Sequence, residues 1–199
     1  MKLNHLLRLS LLSCVFSVKA FGQSGVQQIG NVSAVNINGQ QVNLTLDNAE
    51  AQVIVYTPSV IRIRIDRKKL DADFSYAVTG KPLTVKTSIV QDDNQISVTT
   101  DSLKAVIQKK PFSIAFLTPE GKVISEDEKG LSTSWAGEAV TGYKKMQEWE
   151  HFVGLGEKTG PLDRKGNGYT NWNSDVFGYS VSQDPLYSTI PFYIGIHHG

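Results

Sequence analysis

The sequence predicts an all-β fold, a single antiparallel β-sandwich, from three observations. Short β-prone runs alternate with turn residues from Val32 to Phe116. No segment there sustains a 3.6-residue apolar period over helical length. Within the runs, apolar side chains recur at every second position, the period of a half-buried strand. The elements follow in order. Val32 to Ile37 leads through Asn38-Gly39, a two-residue hairpin turn, into Gln41 to Leu46, where Val42, Leu44 and Leu46 share a face. Val53 to Tyr56 turns at Thr57-Pro58-Ser59 into Val60 to Ile65, with Ile61, Ile63 and Ile65 inward and Arg62 and Arg64 on a solvated face. Gln95 to Thr100 and the run through Leu103, Ala105 and Ile107 flank an Asp101-Ser102 turn. Phe112 to Leu117 is closed by Thr118-Pro119-Glu120-Gly121 against a strand that begins at Val123-Ile124. Residues 68–81, 126–130 and 137–142 read as polar connections. The expected core includes Ile61, Ile63, Ile65, Val98, Ile107 and Ile114. Roughly a dozen strands fit this density of turns, with no internal repeat and no low-complexity linker.

Ahead of the sandwich, residues 1–22 read as an export signal. Lys2 and Arg8 form the positive end, Leu9 to Val18 is the apolar stretch, and Ala20 to Gly22 supplies small residues for cleavage. The apolar stretch is too short to span a bilayer. Cleavage after Gly22, with cleavage after Ala20 as the near alternative, leaves a mature domain that starts near Gln23 and is taken as residues 23–199, in a periplasmic or extracellular setting. Leu11-Leu12-Ser13-Cys14 is a weak lipobox, and the apolar run that continues past Cys14 argues against acylation there. Cys14 is the single cysteine, so no disulfide is available to the mature domain. Lys2, Arg8 and Lys19 leave with the signal; 17 basic residues then face 19 acidic ones, and the formal charge moves from +1 to −2. That balance gives no footing for nucleic acid or anionic lipid.

From Phe152 to Tyr187 the pattern changes. Glycines, aromatics and carboxylates crowd together without a hydrophobic period, as in a shaped surface loop. Tyr169, Trp172 and Tyr179 offer flat apolar faces, and Asn171, Asn173, Asp163 and Asp175 offer hydrogen-bonding groups, a combination that suits a sugar. Gly154-x-Gly156-x-x-x-Gly160 is a poor phosphate loop: Pro161 stands where its helix would open, and no βαβ unit surrounds it. His151, His197 and His198 lack carboxylates or cysteines at ligand spacing, so no metal site is assigned. Glu148, Glu150, Glu157 and Asp163 include the residue types of a glycosidase acid and nucleophile, but spacing alone sets no two of them across a sugar. Aromatics of a glycine-rich loop more often anchor it on its own domain than stack on a ligand, which is the first expectation for Tyr169 and Trp172, and capping nearby amides in a turn is the alternative role for Asp175.

Gly-Leu-Gly-Glu-Lys-Thr-Gly at 154–160, Tyr-Thr-Asn-Trp-Asn-Ser-Asp at 169–175 and Asp-Pro-Leu-Tyr-Ser-Thr-Ile-Pro-Phe-Tyr at 184–193 resemble the N-terminal domain of family-31 glycoside hydrolases, the α-glucosidase and α-xylosidase group. The resemblance covers nearly all of the mature chain, and its last third is the specific part. It implies a β-sandwich of galactose-mutarotase-like type that precedes a catalytic (β/α)8 barrel. Both catalytic aspartates of such enzymes come from the barrel, beyond Gly199, so no catalytic residue is assigned to this chain. The resemblance also implies that Asp175 hydrogen-bonds substrate hydroxyls at the barrel mouth. Asn173 either positions Asp175 or touches sugar itself, and Trp172 completes the set. The implied partners are an α-linked oligosaccharide or glycoside and the barrel in cis, with no cofactor. An apolar surface for the barrel is expected, with the 152–187 run at its edge. Two other readings stay open: an autonomous carbohydrate-binding module, and an aldose mutarotase using His151 and Glu157.

Overall fold

The computed structural model describes residues 25–197; the segment expected to be an export signal, with Cys14 and the expected cleavage site, and His198 lie outside them. Among the described residues there are fifteen strands, every pairing is antiparallel, and no helix occurs. One sheet joins β2 (Val32–Asn38), β3 (Gln41–Leu46), β4 (Glu50–Thr57) and β5 (Val60–Asp66) in chain order. The facing sheet orders β13 (Lys144–Lys145), β10 (Val123–Asp127), β9 (Phe112–Leu117), β8 (Lys104–Lys109), β7 (Gln95–Thr99) and β6 (Ser88–Gln91). A small sheet of β1 (Gln27–Gln28), β11 (Thr133–Ala136) and β12 (Ala139–Gly142) adds Trp135 to the core. The last two strands, β14 (His151–Gly156) and β15 (Thr189–Ile196), form a ribbon of their own.

Alternation fixes which side chains meet. Val42, Leu44, Leu46, Val53 and Val55 from one sheet and Ile96, Val98, Ala105, Ile107, Phe112 and Ile114 from the other form one buried cluster. Removing this apolar surface from water is the main force that holds the sheets together. Of the expected core, Val98, Ile107 and Ile114 are buried, whereas Ile61, Ile63 and Ile65 are half-buried and pack on the cluster's margin. The reason is position: β5 is an edge strand, paired on one side only.

Arg62 and Arg64 depart from the solvated face expected of them. The chain after β5 folds back over this face. Arg62 binds the Asp73 carboxylate and donates to the Tyr56 hydroxyl at 3.0 Å, and Arg64 donates to the Asp71 carbonyl at 2.7 Å. The Arg62 guanidinium holds the Asp73 carboxyl below its usual range. Gln40 stitches the end of this crossing, donating to the carbonyls of Val55 (2.5 Å) and Leu83 (2.7 Å) while its oxygen accepts from the Val85 N–H at 3.2 Å. The stretch 137–142 is likewise more than a connection, since Ala139–Gly142 pairs with β11.

Candidate functional site

The run from Phe152 to Tyr187 begins as strand β14 and leaves the ribbon through three consecutive residues with positive φ: Gly154 (124°), Leu155 (70°) and Gly156 (74°). The bulge here requires glycine twice. A Cβ on Gly154 would sit 2.6 Å from the Phe192 carbonyl oxygen, and one on Gly156 would sit 2.7 Å from the Ile190 nitrogen and the Ser188 oxygen. The Gly-x-Gly pattern is therefore a close backbone crossing of β15, which turns the chain out into the long loop. Arg164 organises the first bend, donating to the carbonyls of Gly154 (3.3 Å), Thr159 (3.2 Å) and Pro161 (2.8 Å) while its guanidinium lies 5.3 Å from the centre of the Tyr169 ring. Tyr169 thus anchors the loop on its own domain.

Asp163 is bound tightly within this bend. His151 Nδ1–H donates to it at 2.7 Å, and the backbone N–H groups of Lys165 (3.1 Å) and Phe152 (3.2 Å) add two more bonds. The His151 bond first, then the Lys165 and Phe152 amides, lower its carboxyl to about 2. The folded value lies below that of an unfolded aspartate, so the stabilisation is present above pH ~4 and is lost as pH falls through about 2. A carboxyl-carbon NMR titration of folded protein should place the Asp163 midpoint at about 2, and His151→Ala should move it upward. A wild-type midpoint near the ordinary aspartate value would contradict this arrangement.

Beyond Tyr169 lies the arm with the three residues singled out from the sequence, and the structure brings two of them to one hollow. A cavity of about 470 Å³ is lined by Asn171, Trp172, Asn173, Thr189 and Pro191. Trp172 is 71% exposed, so its indole lies open over the surface and does not anchor the loop. Asn173 has a structural duty, its Oδ1 accepting the Thr189 N–H at 2.8 Å; the Thr189 hydroxyl donates to the Trp172 carbonyl at 3.1 Å. The Ser174 N–H donates to the carbonyl of Leu186, a buried residue that roots the loop in the domain. Asp175, next in the chain, is exposed, and among the described residues no hydrogen bond or ion pair engages its carboxylate.

Sequence reasoning missed what holds this arm at its base. Lys158, whose side chain is wholly buried, pairs with Asp184 at 2.7 Å and donates to the Thr170 carbonyl at 2.5 Å; the Thr170 N–H donates to the other Asp184 oxygen. Burial pushes the Asp184 carboxyl up, but the Lys158 ammonium and the Thr170 N–H outweigh it and leave it below its usual range. Both residues stand in the motifs quoted above, but a charged residue in a glycine-rich loop reads as solvated until its depth is seen.

The other carboxylates are dispersed. Glu150 is buried, accepts the Gln147 N–H at 3.0 Å and lies 3.8 Å from His197 Nε2, while Glu157 is exposed. Among the described residues no hydrogen bond or ion pair joins Glu157 to His151, and no group of three or more potential metal ligands forms. No helix among them is long and apolar enough to cross a membrane.

A two-sheet antiparallel sandwich whose terminal ribbon carries a long glycine- and aromatic-rich loop defines a galactose-mutarotase-like domain. Residues 50–199 match the glycosyl hydrolase 31 N-terminal galactose mutarotase-like domain, and the chain belongs to that family. It is 29% identical over 174 residues to alpha-glucosidase 2 of Bacillus thermoamyloliquefaciens, covering 86% of this chain and 22% of that protein. Against the alpha-glucosidase of Saccharolobus solfataricus it is 37% identical over 97 residues, or 47% of this chain and 14% of that one. Among solved structures it is similar to a mutant GH31 dextranase of Flavobacterium johnsoniae complexed with isomaltotriose, with a TM-score of 0.79 and 27% identity over 85% of this chain and 21% of that chain. The chain thus spans about a fifth or less of the length of these relatives.

Proposed function

We propose that residues 23–199 form the substrate-shaping N-terminal domain of an exported retaining α-glycosidase, directed outward by residues 1–22 as a cleaved signal. In this reading the sandwich stands beside a catalytic barrel in cis, which supplies the aspartate nucleophile and the general acid for an α-glucoside or α-xyloside. The domain supplies one wall of the sugar site and the Asp175 carboxylate, and neither metal nor organic cofactor enters. The observation behind it is the condition of Asp175: among the described residues its exposed carboxylate has no protein partner, on an arm where Asn173 is pinned and Trp172, three residues earlier in the chain, is open to solvent. A carboxylate accepts two hydroxyl bonds at charge-assisted strength, which matches a vicinal diol. The relatives named alpha-glucosidase and the dextranase with bound isomaltotriose support an α-glucan substrate.

The exposed ribbon also favours a domain built against a partner. Ile190, Phe192, Ile194 and Ile196 alternate along β15 and are about half exposed or more, and Phe177 and Val181 in the loop are 91% and 88% exposed. Such a row costs solubility unless another surface covers it, and the barrel in cis is the cover proposed here. The chain by itself should therefore not hydrolyse p-nitrophenyl α-glucoside or α-xyloside. Turnover by the purified chain that disappears on changing Glu150 or Glu157 would place the active site within this domain and overturn the proposal.

A further inference from the structure

Lys158 and Asp184 stand apart from the other charges of the loop. Most ion pairs here are part-exposed, but the Lys158 side chain is fully buried and that of Asp184 is 19% exposed. Together they grip a single residue, Thr170, by both of its backbone polar groups: the ammonium donates to its carbonyl and the carboxylate accepts from its N–H. Beside them the Thr159 hydroxyl donates to the Gln183 carbonyl at 2.8 Å, so two distant chain segments close on the stem of the arm. The next residues are Asn171, Trp172, Asn173, Ser174 and Asp175.

We infer that the Lys158–Asp184 pair is a positioning device, which sets the stem at Thr170 so that Trp172 and Asp175 meet sugar with a fixed geometry. The inference rests on the role proposed above for Asp175. A buried ion pair by itself is weak support for stability, since well-packed apolar residues can replace it at no loss. What apolar residues cannot do is satisfy the N–H and C=O of Thr170. This pair is therefore suited to geometry more than to stability, and the two are separable.

The test is the double variant Lys158→Met/Asp184→Leu in the chain, which removes both charges and restores apolar volume. Amide hydrogen exchange is read at Ser174 and Thr189, whose N–H groups are bonded within the arm, and at Val98 and Ile107 in the core. The expected result is a melting temperature close to wild type, unchanged exchange at Val98 and Ile107, and exchange at Ser174 and Thr189 at least ~10-fold faster. Isomaltotriose titrated into the protein that joins this domain to its barrel, inactivated in its barrel, should bind with at least ~10-fold weaker affinity in the variant than in wild type. Unchanged exchange at Ser174 and Thr189 overturns the inference, as does faster exchange with undiminished isomaltotriose affinity. If the double variant does not fold, Asp184→Asn, which keeps the shape, is judged by the same two readouts. A barrel-joined protein in which Asp175→Asn leaves isomaltotriose affinity unchanged refutes the proposed role of Asp175, and the exchange measurement still decides whether the pair holds the arm.

Discussion

Asp175→Asn, in the protein that joins this domain to its barrel, should lower kcat/KM by roughly 10-fold to 150-fold. The change keeps the shape of the side chain and removes the charge that strengthens its bonds to sugar hydroxyls. Losing a charge-assisted bond to bound substrate costs ~1.5 to 3 kcal/mol, which gives that range. The melting temperature should barely move, because among the described residues no group of the protein depends on this carboxylate. The opposite pattern, a lower melting temperature with kcat/KM near wild type, would make Asp175 a structural residue and leave recognition to the barrel.

Lys158→Met should markedly lower the stability of the domain. It leaves the Asp184 carboxylate in a site where 19% of the side chain meets water, without its counter-ion, and leaves the Thr170 carbonyl without its ammonium donor. Breaking a buried pair from one side costs ~3 to 5 kcal/mol. For a domain of this size that corresponds to a fall in Tm of about 6 to 20 °C. Chemical denaturation of the chain and its variant gives the number directly. A loss under ~1 kcal/mol would equate the pair with ordinary surface ion pairs.

The two-sheet core was legible because its physics is local and periodic. Val42, Leu44 and Leu46, or Val98 and Ile107, occupy every second position of runs bounded by turn residues, and burial follows that period. What periodicity does not record is a strand's place in its sheet. Ile61, Ile63 and Ile65 alternate as cleanly as the central strands, yet β5 is an edge and they are only half covered. Arg62 and Arg64 point outward as the pattern requires, but the chain that returns to bind them through Asp71 and Asp73 leaves no period in the sequence. Ala139–Gly142 is exposed throughout, so its pairing with β11 had no apolar mark to betray it.

The loop was legible by composition and motif more than by period. Its glycines announced close approaches, and Gly154 and Gly156 make them against the backbone of β15. Trp172 and Tyr169 look alike in sequence, but a cation-π contact with Arg164 settles one, and nothing comparable among the described residues engages the other. Lys158 and Asp184 lie 26 residues apart, and their meeting is a tertiary event that no local spacing predicts.

The most direct test of the account is a crystal structure of the barrel-joined protein, inactivated in its barrel, with an α-linked oligosaccharide bound. An Asp175 carboxylate oxygen should lie ~2.5 to 3.0 Å from a sugar hydroxyl, within ordinary hydrogen-bonding distance, with the Trp172 indole beside the same sugar. A bound sugar held by barrel residues alone, with Asp175 turned to solvent or to amides of its own loop, would contradict the account.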